Sequence, residues 1–135
     1  MALSKTKYLE EKILDHVLRN VAYTPPTAVY LALFTADPGE NGSTANEIMD
    51  PAYIRQQVTF GAPADDPVSG KVTAVVADIE FPQATTEWGT VSHVMIMDAP
   101  TAGNGLYYGP VSNPKLIAID DYIKVPAAEL TVKED

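Results

Sequence analysis

Cysteine is absent from the 135 residues, and with it go disulfides, thiolate nucleophiles and thiolate metal centres. Cations are scarce. Nine Lys and Arg stand against eighteen Asp and Glu, a formal net charge of −9. A surface of that sign repels the phosphates of nucleic acid and of anionic lipid, so neither nucleic acid nor a membrane is expected as a partner. Its first effect is solubility, and sitting on a basic partner is a second use. No apolar run approaches the roughly 20 residues that a spanning helix needs. A signal peptide is not expected either, because Glu10, Glu11, Lys12 and Asp15 interrupt the first twenty residues. Neither G-x-x-x-x-G-K-[ST] nor G-x-G-x-x-G occurs, so nucleotide binding is not indicated. Only two histidines are present, and no G-x-S-x-G elbow accompanies Ser92 beside His93, which leaves a hydrolytic triad unsupported.

What is present reads as a folded, β-rich chain. Hydrophobic residues make up 46% and charged residues 20%, an ordinary globular balance. Eleven prolines and eight glycines punctuate short apolar runs, a pattern of many strands and turns. Residues 4–21 are the exception. Leu9, Ile13, Leu14, Val17, Leu18 and Val21 recur at three- and four-residue spacing, which predicts an amphipathic helix capped by Ser4 and ended before Pro25 and Pro26. Lys7 with Glu11, and Asp15 with Arg19, are its i,i+4 pairs.

Eight strands are expected after it, over residues 28–35, 53–60, 71–81, 89–98, 106–111, 116–119, 122–125 and 130–133. Residues 36–52 read as a long polar loop after the apolar YLALF strand. Residues 61–70 read as a turn-rich connection, and SNPK at residues 112–115 as a turn. Residues 98–105 form a hairpin-like loop with Asn104 and Gly105 at positive φ. Lys133, Glu134 and Asp135 are expected to fray. The expected fold class is therefore mainly β, an antiparallel sandwich of about eight strands with one N-terminal helix. It forms a single domain over residues 1–135, with the helix in 1–24 and the sandwich in 25–135.

Chemistry is harder to find. Asp37, Glu40, Asn41, Glu47 and Asp50 offer oxygen ligands in the 36–52 loop, but their spacing is not that of a helix–loop–helix calcium site, and no metal or cofactor is expected. Carboxylates at Asp37, Glu40, Asp78, Glu80 and Glu87, with Trp88, Tyr107 and Tyr108 as sugar platforms, are the parts of a glycosidase. No pattern sets two of them across a cleft, so no catalytic residue is assigned. Trp88 has two readings: an exposed platform for glycan or protein, or a plug at one end of the sandwich with Gly89 turning the chain.

The order YLALFTADPG, YIRQQVTF, EFP…WGTVSH and GPVSNPK resembles small virion proteins of tailed bacteriophages, of the tail-fibre-like, minor tail or head-decorating kind. The resemblance spans residues 13–132. It implies a non-enzymatic structural role in the virion, on the capsid or the tail, after assembly in the host cytoplasm. It also implies a homo-oligomer whose partners are other virion proteins. A carbohydrate-binding module for host surface glycan is the alternative. Where the resemblance is to a glycine-rich stretch, this chain has NEIMDPA, so Ile48 and Met49 are expected to be exposed and sticky. Expected partner contacts are Ile48, Met49, Tyr53 and Arg55, then Trp88, Tyr107 and Tyr108.

Overall fold

The computed structural model describes residues 3–134. Among them the fold is mainly β and antiparallel. β1 (Ser4–Lys5) is followed by the helix α1 (Lys7–Leu18), then β2 (Val29–Phe34), β3 (Gln56–Val58), β4 (Ala64–Asp65) and β5 (Lys71–Ala74). β6 (Ile79–Glu80), β7 (Gly89–Met97), β8 (Gly105–Ile117), β9 (Lys124–Val125) and β10 (Thr131–Glu134) complete the order. Five strands form the main sheet, in the order β1-β8-β7-β2-β3, while β10-β5-β4 and β6-β9 form two smaller sheets.

The sandwich follows from period-two burial along the central strands. Leu31 and Leu33 of β2, with Val91, Val94 and Ile96 of β7, turn to an inner face. There they share one core with Val75, Ile79, Phe81, Val125, Leu130 and Val132 from the smaller sheets. Ala32 and Phe34, with Met95 and Met97, turn to the outer face and are just as buried, packed with Tyr108. This explains why the YLALF strand is apolar at every position: both faces are covered. Each side chain so enclosed contributes about 2 kcal/mol through apolar transfer alone.

The 36–52 loop, read from the sequence as polar, returns to the sheet. Residues 46–48 run along the edge of β2, with Glu47 opposite Phe34, Thr35 N–H donating to the Asn46 carbonyl (3.1 Å) and Ile48 N–H to the Leu33 carbonyl (3.2 Å), which sets Ile48 in the inner core. At Gly42 the chain passes so close to the sheet that an added Cβ would touch Met95 Sδ and Thr6 Cγ2 at 3.6 Å. Within residues 36–50 the exposed positions are Asp37, Glu40, Asn41, residues 43–46 and Met49, while Pro38, Ile48 and Asp50 are buried.

Several boundaries differ from expectation for local reasons. Thr6, not Ser4, caps α1: its Oγ1 accepts from Leu9 N–H, while Ser4 and Lys5 pair with Tyr108 and Tyr107. The helix ends early because Asn20 adopts φ 56°. Asp15 does pair with Arg19, at 2.8 Å, whereas Lys7 stands 4.0 Å from Glu40. The expected 71–81 strand breaks into β5 and β6, and residues 64–65 of the turn-rich connection pair with β5 as β4. SNPK is not a turn between strands. It bulges out of β8, whose pairing slips between Val91 opposite Lys115 and His93 opposite Pro110. In the 98–105 loop the positive φ values fall at Ala102 and Gly103, since Gly105 already pairs with Met97. Nor do Lys133 and Glu134 fray: they belong to β10, tied to Asp66 and to Lys5. Asp135 lies outside the described residues.

Gly105 is a position where only hydrogen fits, because Met95 occupies the place its Cβ would take. Gly105→Ala is expected to cost about 1–3 kcal/mol as Met95 is forced from its packing. Urea unfolding followed by circular dichroism measures it, and a loss below about 0.5 kcal/mol, the scale of a neutral surface change, would contradict the packing.

Candidate functional site: two buried charges beneath the loops

The polar centre of the molecule lies where residues 46–55, 85–88 and 98–104 meet. Arg55 is buried, although its place between Ile54 and Gln56 reads as solvent-facing. Its guanidinium grips Glu47 in a fork, Nε to Oε2 at 2.7 Å and Nη2 to Oε1 at 2.8 Å. Nη1 turns the other way and donates to the carbonyls of Ala99 (3.0 Å) and Ala102 (2.8 Å). One side chain thus ties the loop before β3 to the loop between β7 and β8. Glu47 also accepts from the Tyr53 hydroxyl at 2.7 Å, and that hydroxyl in turn accepts from Leu33 N–H of β2 at 3.0 Å. Burial, reinforced by the Glu47 carboxylate, pushes the Tyr53 hydroxyl far above the ordinary tyrosine range.

Asp50 is the second buried charge. Its carboxylate accepts from Ala52 N–H (2.9 Å), Thr85 N–H (2.7 Å), Thr86 N–H (2.9 Å), the Thr85 hydroxyl and the Trp88 indole Nε1–H (2.7 Å). Burial alone would raise its pKa. The hydrogen bonds from Thr85, Ala52, Thr86 and Trp88 outweigh burial and hold it well below the usual carboxylate range. Tyr53 connects the two charges, standing edge-on to Trp88 with ring centroids 5.7 Å apart and stacked on Phe81 at 6.2 Å.

This places the residues singled out from the sequence. Ile48 is 6% exposed and belongs to the core, so its expected exposure is corrected: pairing of its N–H with Leu33 turns the side chain inward. Met49, the next residue along an extended backbone, faces out at 89%. Tyr53 and Arg55 hold the site together from within. Trp88 is a plug, 6% exposed with its N–H spent on Asp50, and Gly89 beside it has φ 82°, as the tight turn requires. Its ring is not offered to a sugar. Tyr107 is half-buried, its hydroxyl donating to Glu134 at 2.8 Å, while Tyr108 lies on the opposite face of the sheet. What the sequence reading missed is Glu47 and Asp50 as the acceptors on which these residues converge. Their i,i+8 and i,i+38 spacings to Arg55 and Trp88 carry no local signal.

The chemistry available to these carboxylates is narrow. A general acid needs a raised pKa, and Asp50 has the opposite. Glu47 is committed to Arg55 and Tyr53. Among the described residues, no three His, Asp or Glu side chains come together as metal ligands. Among the same residues no helix is long and apolar enough to cross a membrane.

Buried charges that fasten loops to antiparallel sheets define the class at the level of the fold: a β-rich protein whose loops are held from within. A family model described as podophage GP4 fiber I protein gp80 matches residues 4–133. The chain belongs to that family of podophage fibre proteins. No curated protein matches it.

The site gives stability a pH dependence of known sign. Asp50 keeps its bonds only while ionised, and its folded pKa lies below the unfolded value of about 3.9. Its contribution is therefore complete above that value and lost as pH falls through the folded pKa. The thermal midpoint, followed by the fluorescence of the sole tryptophan, Trp88, is expected to fall steadily below about pH 4. Asp50→Asn should lower the midpoint at pH 7 and flatten that acid limb. Asp66 and Asp78, both lowered by hydrogen bonds and nearby lysines, leave a residual slope. Equal acid limbs in the two proteins would contradict the assignment.

Proposed function

We propose that the chain is a non-enzymatic structural component of a podophage particle, built into a fibre and acting through assembly contacts with other virion proteins. The observation that carries this reading is the outward pair Met49 and Ile54, 89% and 59% exposed, held on a rigid base of buried charge. They line an open cleft of about 500 Å³ with Pro51, Pro100 and Thr101. Both walls of that cleft are fixed by Arg55, through Glu47 on one side and the Ala99 and Ala102 carbonyls on the other. Preorganised loops lose little entropy on docking, which favours a protein contact over a mobile ligand loop. Family membership supports fibre placement over capsid decoration. Formation as a homo-oligomer, after synthesis in the host cytoplasm, belongs to the same reading, as does one structural domain spanning the chain.

Host glycan is the weaker reading. Trp88, its best platform, is enclosed, and the tyrosines at 107 and 108 lie on opposite faces of the sheet, so they form no joint stacking surface.

Quantitative mass spectrometry of purified particles tests the placement: a fibre component is present in tens of copies, and hundreds would point to the capsid instead. Met49→Glu with Ile54→Glu changes only exposed side chains, so circular dichroism and the thermal midpoint should stay within about 0.5 kcal/mol of wild type. Incorporation into particles should fall at least tenfold. Normal incorporation of the double variant would dispose of this cleft as the contact.

A further inference from the structure

Asn-Gly occurs twice in the chain, at Asn41-Gly42 and at Asn104-Gly105. A glycine successor leaves an asparagine open to attack by the next backbone nitrogen, because no Cβ hinders the approach and the backbone turns freely. By sequence the two sites are equivalent, and the fold separates them.

Asn104 is fixed on every side. Its N–H donates to Asp98 Oδ1 (2.7 Å), its side-chain amide donates to Asp98 Oδ2 (3.2 Å), and its carbonyl accepts from Asp98 N–H (3.1 Å). Gly105 is buried and stands opposite Met97 in the β7–β8 ladder, and its carbonyl accepts from the Thr6 hydroxyl at 2.6 Å. Swinging the Asn104 side chain over the Gly105 nitrogen breaks the bond to Asp98 Oδ2 and turns the 104–105 peptide out of the sheet.

Asn41 is held far less. It is exposed, and among the described residues nothing bonds its side-chain amide. Its peptide bond to Gly42 closes a surface turn in which Gly42 N–H donates to the Gly39 carbonyl at 3.0 Å. A single turn on the surface opens locally at much lower cost than a strand in the centre of a sheet.

We infer that Asn41 is a self-modification site, converting spontaneously to aspartate and isoaspartate while Asn104 is protected. The Gly42 nitrogen attacks Asn41 Cγ, its proton passes to solvent, and the Cγ–Nδ2 bond breaks as ammonia leaves. Water then opens the succinimide at one of its two carbonyl carbons. Opening at Cγ gives aspartate. Opening at the backbone carbonyl gives isoaspartate, in which the chain runs through Cβ and Cγ and is longer by one methylene. Either route consumes one water and releases one ammonia.

The extra methylene falls where the loop holds the helix. On one side of it the Glu40 carbonyl accepts Lys7 N–H at 2.9 Å, one of the donors at the start of α1 that the helix itself cannot satisfy. On the other side Gly42 is seated against Met95 and Thr6, where an added Cβ would stand 3.6 Å from each. Both contacts fit the native spacing, so isoaspartate displaces one of them and loosens the start of α1.

Peptide mapping by mass spectrometry after incubation in mildly alkaline buffer reads the conversion, and isoaspartyl methyltransferase labelling separates the two products. In urea, where the fold is lost, both asparagines should convert at similar rates. In the folded protein Asn41 should convert at least about tenfold faster than Asn104. Asn41→Gln should abolish conversion at this turn. Hydrogen exchange should be faster at the Lys7 amide in the isoaspartate form. Asn41→Asp, which carries the charge without the extra methylene, should keep the wild-type rate there. Conversion at Asn104 as fast as at Asn41 in the folded chain would overturn the inference. So would a folded protein in which neither site converts while the unfolded chain converts at both. Unchanged exchange at Lys7 in the isoaspartate form would refute the effect on α1. None of these measurements uses particles, so their outcome stands apart from the fibre reading.

Discussion

A guanidinium removed from water has to recover its hydration from the protein, and Arg55 recovers it from three directions at once. The fork with Glu47 answers its charge, and two loop carbonyls answer its remaining donors. Replacing such a pair by apolar packing need not destabilise a protein, but removing one member leaves a buried charge, at a typical cost of about 3–5 kcal/mol. What the pair adds is geometry. It fixes residues 46–55 against residues 98–104, and Ala102, at φ 51°, presents its carbonyl from a left-handed turn that few residues adopt without a tertiary partner.

From that clamp the rest of the surface follows. Glu47 positions the Tyr53 hydroxyl, Tyr53 abuts Trp88, and Trp88 with the 85–86 backbone satisfies Asp50. Residues 46–55, 85–88 and 98–104 are each held by a buried polar group, and with no cysteine in the chain none depends on a disulfide. Core side chains stay inward while Met49 and Ile54 remain outward on a fixed base. Contacts already in place when a partner arrives lose less entropy on docking, which is the advantage that the proposed assembly role draws on.

The architecture was largely legible in the sequence. Apolar periods of two and 3.6 located the central strands and the helix, and continuous apolarity in YLALF marked a strand covered on both faces. The same logic failed where tertiary bonds override local pattern. SNPK has the composition of a turn, yet it lies within one long strand, because β7 pairs with β8 on both sides of the bulge. Ile48 sits in a polar loop and so reads as exposed, but backbone pairing of residues 46–48 along the edge of β2 turns its side chain into the inner core. Arg55 reads as the solvent face of a strand. Its true partners lie 8, 44 and 47 residues away, a relation no local periodicity records. Trp88 was half legible: a plug with Gly89 turning the chain was one of its two sequence readings, and the buried bond to Asp50 decides for it.

Native-state hydrogen exchange on wild type and Arg55→Met tests the central claim most directly, that one buried cation holds both loops. The account predicts that amides in residues 46–50 and 98–104 lose protection together in the variant, while those of β2 and β7 keep theirs. Unchanged protection of residues 98–104 without the guanidinium would contradict it.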